Sequence, residues 1–467
     1  MPKRTIGSGI RHSTFVINQR AALGILACAL TALVYQSALD LPFVFDDRNT
    51  VLLSSMLVDP WDLRAVLLGD FPRTAVHLSY AVDRAFWGFS SFGFHLTNFA
   101  LHIIVVGLFY GWCTRALADA IRSDPGLTPA VEWPAFFAAA AFGLHPVMSA
   151  TAFYVSARPE MLCAAAFLIA LMFARRAIVT SSTAFGLLAA GFGALAFGSS
   201  PAGAALPLVL IAYDRWLLGR PGWIRRMCRV YFPALAAAAG GLVWQLYAWA
   251  PISVERLPEV MLTESIVAWR NLALLVVPWG QAVVHEARLL DSLADPVALL
   301  AGAGIVGTLA GAIWLRRIAP LVSVGAVWFF AATAATLTVA LIPDLMAEKQ
   351  VYLAAAGLIM AVFTAVARPL GERRGARIAA AALLAIFALL TTMRSRVWND
   401  PLALWTEAVT REPGYWQAHL EFAETLKEAG RCDRAVEEFA TAKRLNPHLP
   451  LAPETGWAPC PPPRLER

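Results

Sequence analysis

Residues 20–47 read RAALGILACALTALVYQSALDLPFVFDD. An arginine opens the stretch, an apolar run fills 20–39, and the acidic pair Asp46 and Asp47 follows. About 20 apolar residues are what a helix needs to cross the hydrocarbon core of a bilayer. The run is too long for a secretory signal, and no small-residue cleavage site precedes the acidic pair. The first run is therefore read as a permanent span, with Asp46 and Asp47 just outside the membrane.

Comparable apolar runs occur at 94–114, 134–153, 159–174, 183–199, 202–218, 230–249, 297–315, 319–341, 350–367 and 378–393. Over 467 residues, 58% are hydrophobic and 15% charged, and the mean hydropathy is +0.60. Soluble domains hold about 25% charged residues, so an ordinary cytosolic enzyme is excluded. Disorder needs the opposite composition. The expected fold class is an all-α polytopic membrane protein of about eleven transmembrane helices.

The basic residues lie between the apolar runs, for example Arg20, Arg115 and Arg122, Arg175 and Arg176, Arg316 and Arg317, and Arg373, Arg374 and Arg377. These loops fall on alternate sides of the runs. Lys and Arg mark the cytoplasmic side, which places the N-terminus inside and the C-terminal tail outside. The net charge of +6 thus reads as topology, not as nucleic-acid binding; no basic stripe or RNA motif occurs. Segment 266–283, IVAWRNLALLVVPWGQAV, is apolar enough to span, but crossing there breaks the alternation. With Arg270 and Pro278 read as breaking its interior, it is expected to be a re-entrant helix facing protein or a cavity.

Three regions follow from this: a transmembrane domain over 1–393 with a large outer loop at 40–93, a helical region over 394–449, and a proline-rich, disordered tail at 450–467. Within the second, YWQAHLEFAETLKEAGRCDRAVEEFATAKRLNP reads as one tetratricopeptide repeat, with Gly430, Ala435, Phe439, Ala442 and Pro447 at its small, aromatic and proline positions. WNDPLALWTEAVTREP resembles the second helix of a preceding repeat. Such repeats need about three units to bury a core, so this partial array is expected to lean on the membrane domain or a partner. The six cysteines form no CxxC, which leaves zinc and thioredoxin-like sites unsupported. Cys432 and Cys460 are a candidate pair in an oxidising compartment.

Polar groups at the outer membrane boundary stand out, because ionisable residues at such depth usually face a cavity or a partner. Asp46 and Asp47 are candidates for activating a hydroxyl. Neighbours on an extended segment point to opposite sides, so one is expected to be the base and the other an anchor. Asp46 is preferred as the base. The stretch 70–102 interleaves Arg73, His77, Asp83 and Arg84 with aromatics and sets His95, Asn98 and His102 on one helical face. That pattern fits either a membrane-surface helix followed by a span, or a phosphate and sugar site. His145–Pro146 sits inside a span, Arg158 and Glu160 lie at its outer hairpin, and Glu348, Lys349 and Tyr352 precede a late span. No carboxylate or cysteine completes a metal site with the histidines.

Taken in order, these segments resemble the C-type membrane glycosyltransferases of the protein O-mannosyltransferase clan, and most closely the transmembrane, tetratricopeptide-containing O-mannosyltransferases and their bacterial relatives. The matching residues are Asp46–Asp47 after the first span, Arg73 through the FHLTN of 94–98, His145–Pro146 with Arg158 and Glu160, His285–Glu286 after a Pro-Trp-Gly segment, and Glu348, Lys349, Tyr352 and Leu353. The likeness continues through Trp398 and Trp405 into the repeat. It departs where the family often has Ser-Lys, here Ser199–Ser200, and where a second His and a Glu are replaced by Met148 and Ala150.

The resemblance implies a GT-C-like bundle that moves a sugar from a polyprenyl-phosphate donor to an acceptor hydroxyl. Asp46 or Asp47 would be catalytic. Donor phosphate and sugar would be bound by residues among Arg73, His95, His145, Arg158, Glu160, His285, Glu286, Glu348, Lys349 and Tyr352. The lipid-linked sugar donor is the one cofactor-like group it implies; metal dependence is left open, with no divalent metal indicated. Expected partners are the lipid-linked sugar, an acceptor protein or glycan, and membrane lipids. The expected location is a bacterial inner membrane, with site and repeat on the periplasmic side. A glycolipid or surface-polysaccharide acceptor is one alternative, and a non-catalytic membrane scaffold is another. A transporter is disfavoured because no duplicated halves with matched broken helices are visible. A nucleotide-sugar donor is disfavoured because no Rossmann or P-loop fingerprint occurs.

Overall fold

The computed structural model describes residues 7–69, 73–123, 131–219, 222–226, 257–287, 289–290, 292–337 and 346–449, with positions 232 and 236. No strand occurs among them. The main helices are α1 (Gly7–Tyr35), α2 (Thr74–Trp87), α3 (Ser91–Ser123), α4 (Glu132–Leu144), α5 (Arg158–Thr180), α6 (Thr183–Ser199), α7 (Leu206–Tyr213), α8 (Leu257–Val276), α9 (Pro296–Leu315), α10 (Pro320–Leu337), α11 (Val351–Ala365), α12 (Arg374–Asn399), α13 (Pro401–Arg411), α14 (Trp416–Glu428) and α15 (Cys432–Leu445).

Among the described residues five helices are long and apolar enough to cross a membrane, or six if one bent pair counts as a single span. They mark a membrane-embedded protein. The five are Gln19–Asp40, Ser91–Arg122, Val155–Thr180, Pro296–Leu315 and Arg374–Asn399. The runs at 183–199 and 319–341 form shorter apolar helices, Thr183–Ser199 and Pro320–Thr336. The run at 202–218 is divided among short helical turns around α7, and 230–249 and the tail 450–467 lie outside the described residues. The reading of 266–283 is corrected in one respect. α8 passes through Arg270 without a break and ends before Pro278, because an arginine has good helix propensity whereas the residue before a proline is disfavoured in the α region.

α4 shows why the centre of the bundle is helical and dry. From Pro134 to Leu144 every residue is buried; a helix apolar on all sides belongs inside. Gly143 lets it approach α1, since a Cβ there would collide with Thr31. Gly325 and Gly357 face each other across α10 and α11: a Cβ on Gly325 would strike the Gly357 carbonyl, and one on Gly357 would strike Trp328. Small residues permit such close approach between membrane helices.

The helix α4 breaks at His145–Pro146 and resumes at Pro146–Ala152 with a 49° bend. Pro146 has no N–H and pushes His145 into extended geometry (φ −66°, ψ 129°). The carbonyl freed at Leu144 accepts a bond from Thr391 Oγ1 on α12 (2.8 Å). His145 spans the break: Nδ1 accepts from Val147 N (3.3 Å), and Nε2 lies 2.9 Å from the Leu275 carbonyl in the last turn of α8. His145 therefore ties the break after α4 to the last turn of α8.

At the far end of the bundle, Asp119 of α3 receives Arg175 Nε and Nη2 (2.5 and 2.6 Å) and Tyr213 Oη (2.6 Å). The helices α13 to α15 follow α12 directly. Trp405, Ala408, Phe422 and Leu426 pack there with Val284 and Phe45, so these helices sit on the loops that hold the candidate site. Cys28, Cys113 and Cys163 are free. Cys432 is disulfide-bonded, and its partner lies outside the described residues.

Candidate functional site

Loop 41–48 is anchored by Leu41 and Val44, buried with Tyr35, Phe153, Tyr154 and Trp398. Between the anchors and the acidic pair stands Phe45 in the left-handed region, φ 50°. A bulky residue seldom occupies that region. It is held there by stacking on Tyr154 and by an edge contact with Trp405, with ring centroids 6.4 and 5.6 Å apart. Asp47 then takes helical geometry (φ −58°, ψ −31°). The two carboxylates separate because the chain turns, not because it is extended.

Asp47 turns inward and is fully buried. Its Oδ1 accepts from Ser156 N (2.7 Å) and Ser156 Oγ (2.6 Å), and Oδ2 accepts from Val44 N (3.2 Å). Burial pushes its pKa up to about 6, against the pull of those bonds. Asp46 turns outward. Its side chain is 40% exposed, with Oδ2 3.8 Å from Lys349 Nζ. Its backbone N–H donates to Tyr154 Oη (3.1 Å). The Lys349 ammonium is 5.0 Å from the Tyr154 ring centroid, a cation–π distance. A cavity of about 20 Å³, lined in part by Phe45, Tyr154, Glu348, Lys349 and Trp398, opens here. That is room for one water.

Glu348 and Lys349 are neighbours with opposite fates. Glu348 is buried, and its carboxylate accepts from Ala282 N (2.8 Å) and Gln281 Nε2 (3.2 Å). It also meets His285 Nε2 at 2.9 Å, while His285 Nδ1 lies 3.2 Å from Glu412. Glu412 Oε2 accepts from Glu286 N (3.1 Å). This chain ties segment 281–286 to the C-terminal helices. For His285, burial opposes the charged form, but the two carboxylates outweigh it and raise the pKa to about 9. For Glu412, burial is likewise outweighed, by His285 and the Glu286 N–H, and its pKa is lowered.

The sign of that linkage can be measured. A raised histidine pKa contributes stability that is fully present below the ordinary value of 6.5 and is lost as pH rises through about 9. Thermal unfolding of the native protein and of His285→Gln should differ most below pH 6.5 and converge as pH rises toward 9. A pH-independent gap would show that the imidazolium does not hold this joint.

Beside segment 281–286, α8 forms one wall of an open groove of about 1100 Å³. Its walls include Ile266, Val267, Trp269, Leu274 and Val277; its polar end carries Arg270, His285, Glu286 and Glu412. Arg270 Nη1 reaches the Glu286 carbonyl at 3.4 Å. Met346 lines both the groove and the small cavity, and the segment that His285 secures gives Val283 and Val284 to the cavity and His285 and Glu286 to the groove. Val276, Val277 and Trp279 are exposed at the groove's rim. Comparisons with protein-family models, curated proteins and solved structures find no match to this chain.

The remaining sequence candidates divide by place. Glu160 is buried and accepts from Ser200 Oγ (2.9 Å), with Lys349 and Arg73 in electrostatic reach. The serine thus partners Glu160 where the resembled family often has a lysine. Arg158, Tyr352, His145 and His95 do not join the Asp46–Lys349 cleft. Arg158 is fully buried; Nε donates to Asn98 Oδ1 (2.8 Å), Nη1 to Ser79 Oγ (3.2 Å) and Nη2 to the Phe94 carbonyl (2.9 Å), and Nη2 pairs with Asp83 at 2.6 Å. Its donors are occupied by protein, which departs from the phosphate-facing role expected of it. Tyr352 is buried with its hydroxyl 2.7 Å from His102 Nδ1, and His95 stacks on Phe43. Among the described residues no group of three or more His, Cys, Asp or Glu is placed to hold a metal.

Sequence reasoning passed over Tyr154, Ser156 and Glu412. Tyr154 and Ser156 lie between His145–Pro146 and Arg158 but carry no charge to draw notice. Glu412 did leave a signal: an acid just past a helix C-terminus, where the helix dipole disfavours negative charge. His285 supplies the compensation.

Proposed function

We propose that this protein is a membrane glycosyltransferase of the GT-C type. It moves a sugar from a polyprenyl phosphate to an acceptor hydroxyl, with a protein acceptor favoured. The observation that carries the reading is the pairing of a partly exposed carboxylate, Asp46, with the Lys349 ammonium, next to a lipid-sized apolar groove with a polar end.

The division of labour follows from chemistry. The lipid chain lies along α8, with its phosphate toward Arg270 and the cleft. Asp46 takes the proton of the acceptor hydroxyl as that oxygen attacks the anomeric carbon. The bond from that carbon to the phosphate oxygen breaks, and the lipid phosphate leaves with the electron pair. Lys349 and Arg73 supply positive charge for the departing phosphate. A phosphate is already a good leaving group, so placement and electrostatic stabilisation account for most of the rate. Asp47 holds the loop that aims Asp46. The His285 network keeps groove and cleft in register.

In the same reading the bundle has about eleven spans, and the arginine alternation puts Asp46 and the C-terminal helices on the non-cytoplasmic face of a bacterial inner membrane. The helices α13 to α15 are a partial tetratricopeptide array; His419 on α14 bonds Glu438 on α15 (2.6 Å), and Gly430 makes the turn between them at φ 74°. The test is transfer of a labelled sugar from a polyprenyl-phosphate donor to a hydroxyl-bearing peptide by the purified protein. Absence of transfer across peptide and glycan acceptors, with hexose donors of this class, would sink the enzyme reading.

A further inference from the structure

A trough of about 480 Å³ runs between α1, α4 and α12, from Arg374 and Arg377 at one end to Val34, Leu144 and Ala388 at the other. Its walls are aliphatic and aromatic, with Leu33, Phe137 and Leu384 among them, and no acidic side chain among the described residues lines it. One end is cationic. Arg374 and Arg377, from the first turn of α12, both line it.

Neither arginine is neutralised by an acid among the described residues. The nearby Glu372 pairs with Arg368 (3.5 Å), and Glu132 pairs with Arg20 (2.6 Å). Arg377 lies 5.0 Å from the Trp133 ring centroid and donates through Nη2 to the Gly371 carbonyl (3.2 Å). Its Nε is buried with no hydrogen-bond partner. The Arg377 Nε–H is therefore a donor left over for an anionic group at that end of the trough. Length points the same way. From Arg374 to Ala388 along α12 is roughly 21 Å at 1.5 Å per residue, more than the roughly 15 Å depth of one leaflet of a 30 Å hydrocarbon core.

We propose that this trough binds one acidic glycerophospholipid, its phosphodiester on Arg374 and Arg377 and one acyl chain along the apolar wall. A zwitterionic lipid is the poorer occupant, because its own ammonium offsets the charge that two unpaired arginines attract. The site is independent of the proposed transfer reaction.

Native mass spectrometry of the detergent-purified protein, incubated separately with phosphatidylglycerol and phosphatidylcholine, tests it. Phosphatidylglycerol should be retained preferentially as one tightly held copy. In Arg374→Gln/Arg377→Gln its affinity should fall about thirtyfold, which is about 2 kcal/mol at 1.4 kcal/mol per tenfold, from about 1 kcal/mol per arginine. Ala381→Trp keeps both arginines but blocks the wall, and it should also expel the lipid. If the double variant yields no monodisperse protein, the tryptophan variant decides. Equal retention of the two lipids, or undiminished phosphatidylglycerol in a folded variant, would overturn the proposal. Equal competition by glycerol phosphate would mark a simple anion site and overturn it as well.

Discussion

Asp46→Asn should lower sugar transfer by about 10²–10⁴-fold, the range that a positioned general base supplies, with the fold intact. The side chain is partly exposed; its carboxylate lies 3.8 Å from Lys349 and is within reach of the Tyr154 hydroxyl. Little packing is lost when it becomes an amide, and the Tyr154 bond goes to its backbone N–H. The partner substitution behaves differently. Asp47 takes three donors, two from Ser156 and one from Val44 N. An amide in its place must aim its NH₂ at one of those donors, leaving a buried clash that costs about 1–3 kcal/mol. Asp47→Asn should therefore lower the unfolding temperature, with transfer falling only as loop 41–48 loosens. Activity assays and thermal scans on the two variants separate the roles. Full activity in Asp46→Asn with loss only in Asp47→Asn would reverse the assignment. Full activity in both would remove the pair from the mechanism.

How far these roles could be read from the chain depended on contact range. The first span and the acidic pair beyond the membrane are local signals, written in an apolar run and adjacent carboxylates; the bend at His145–Pro146 falls inside a run read as one span. Which aspartate turns inward is not local. It depends on Phe45 adopting φ 50° against Tyr154 and Trp405, and on Ser156, 109 residues away. The same holds for Lys349, whose neighbour Glu348 is consumed by His285, the Gln281 side chain and the Ala282 backbone N–H. Periodicity gives a residue's face on its own helix, but not which residue of another helix will meet it.

Arg158 shows this most sharply, and it carries the largest expected effect on stability. At the start of α5 it reaches Asn98 and the Phe94 carbonyl on α3, and Ser79 and Asp83 on α2, under the face of Tyr80 at 4.4 Å. One guanidinium thus fixes the outer-loop helix to the bundle. Asp83 also accepts from Thr97 Oγ1 (2.6 Å), but removing Arg158 leaves that buried carboxylate without its counter-charge. Breaking one side of a buried pair costs about 3–5 kcal/mol. Arg158→Ala should therefore unfold well below the native temperature, and Arg158→Lys should recover only part, since one ammonium cannot reproduce the planar fork. A cycle with Asp83→Asn isolates the pair: the double variant should be less damaged than the sum of the single ones. A donor-phosphate ligand would behave otherwise, with unfolding nearly unchanged and the donor's KM raised in every Arg158 variant. That result would return Arg158 to the cleft and require α2 to move away from α5 when the lipid binds.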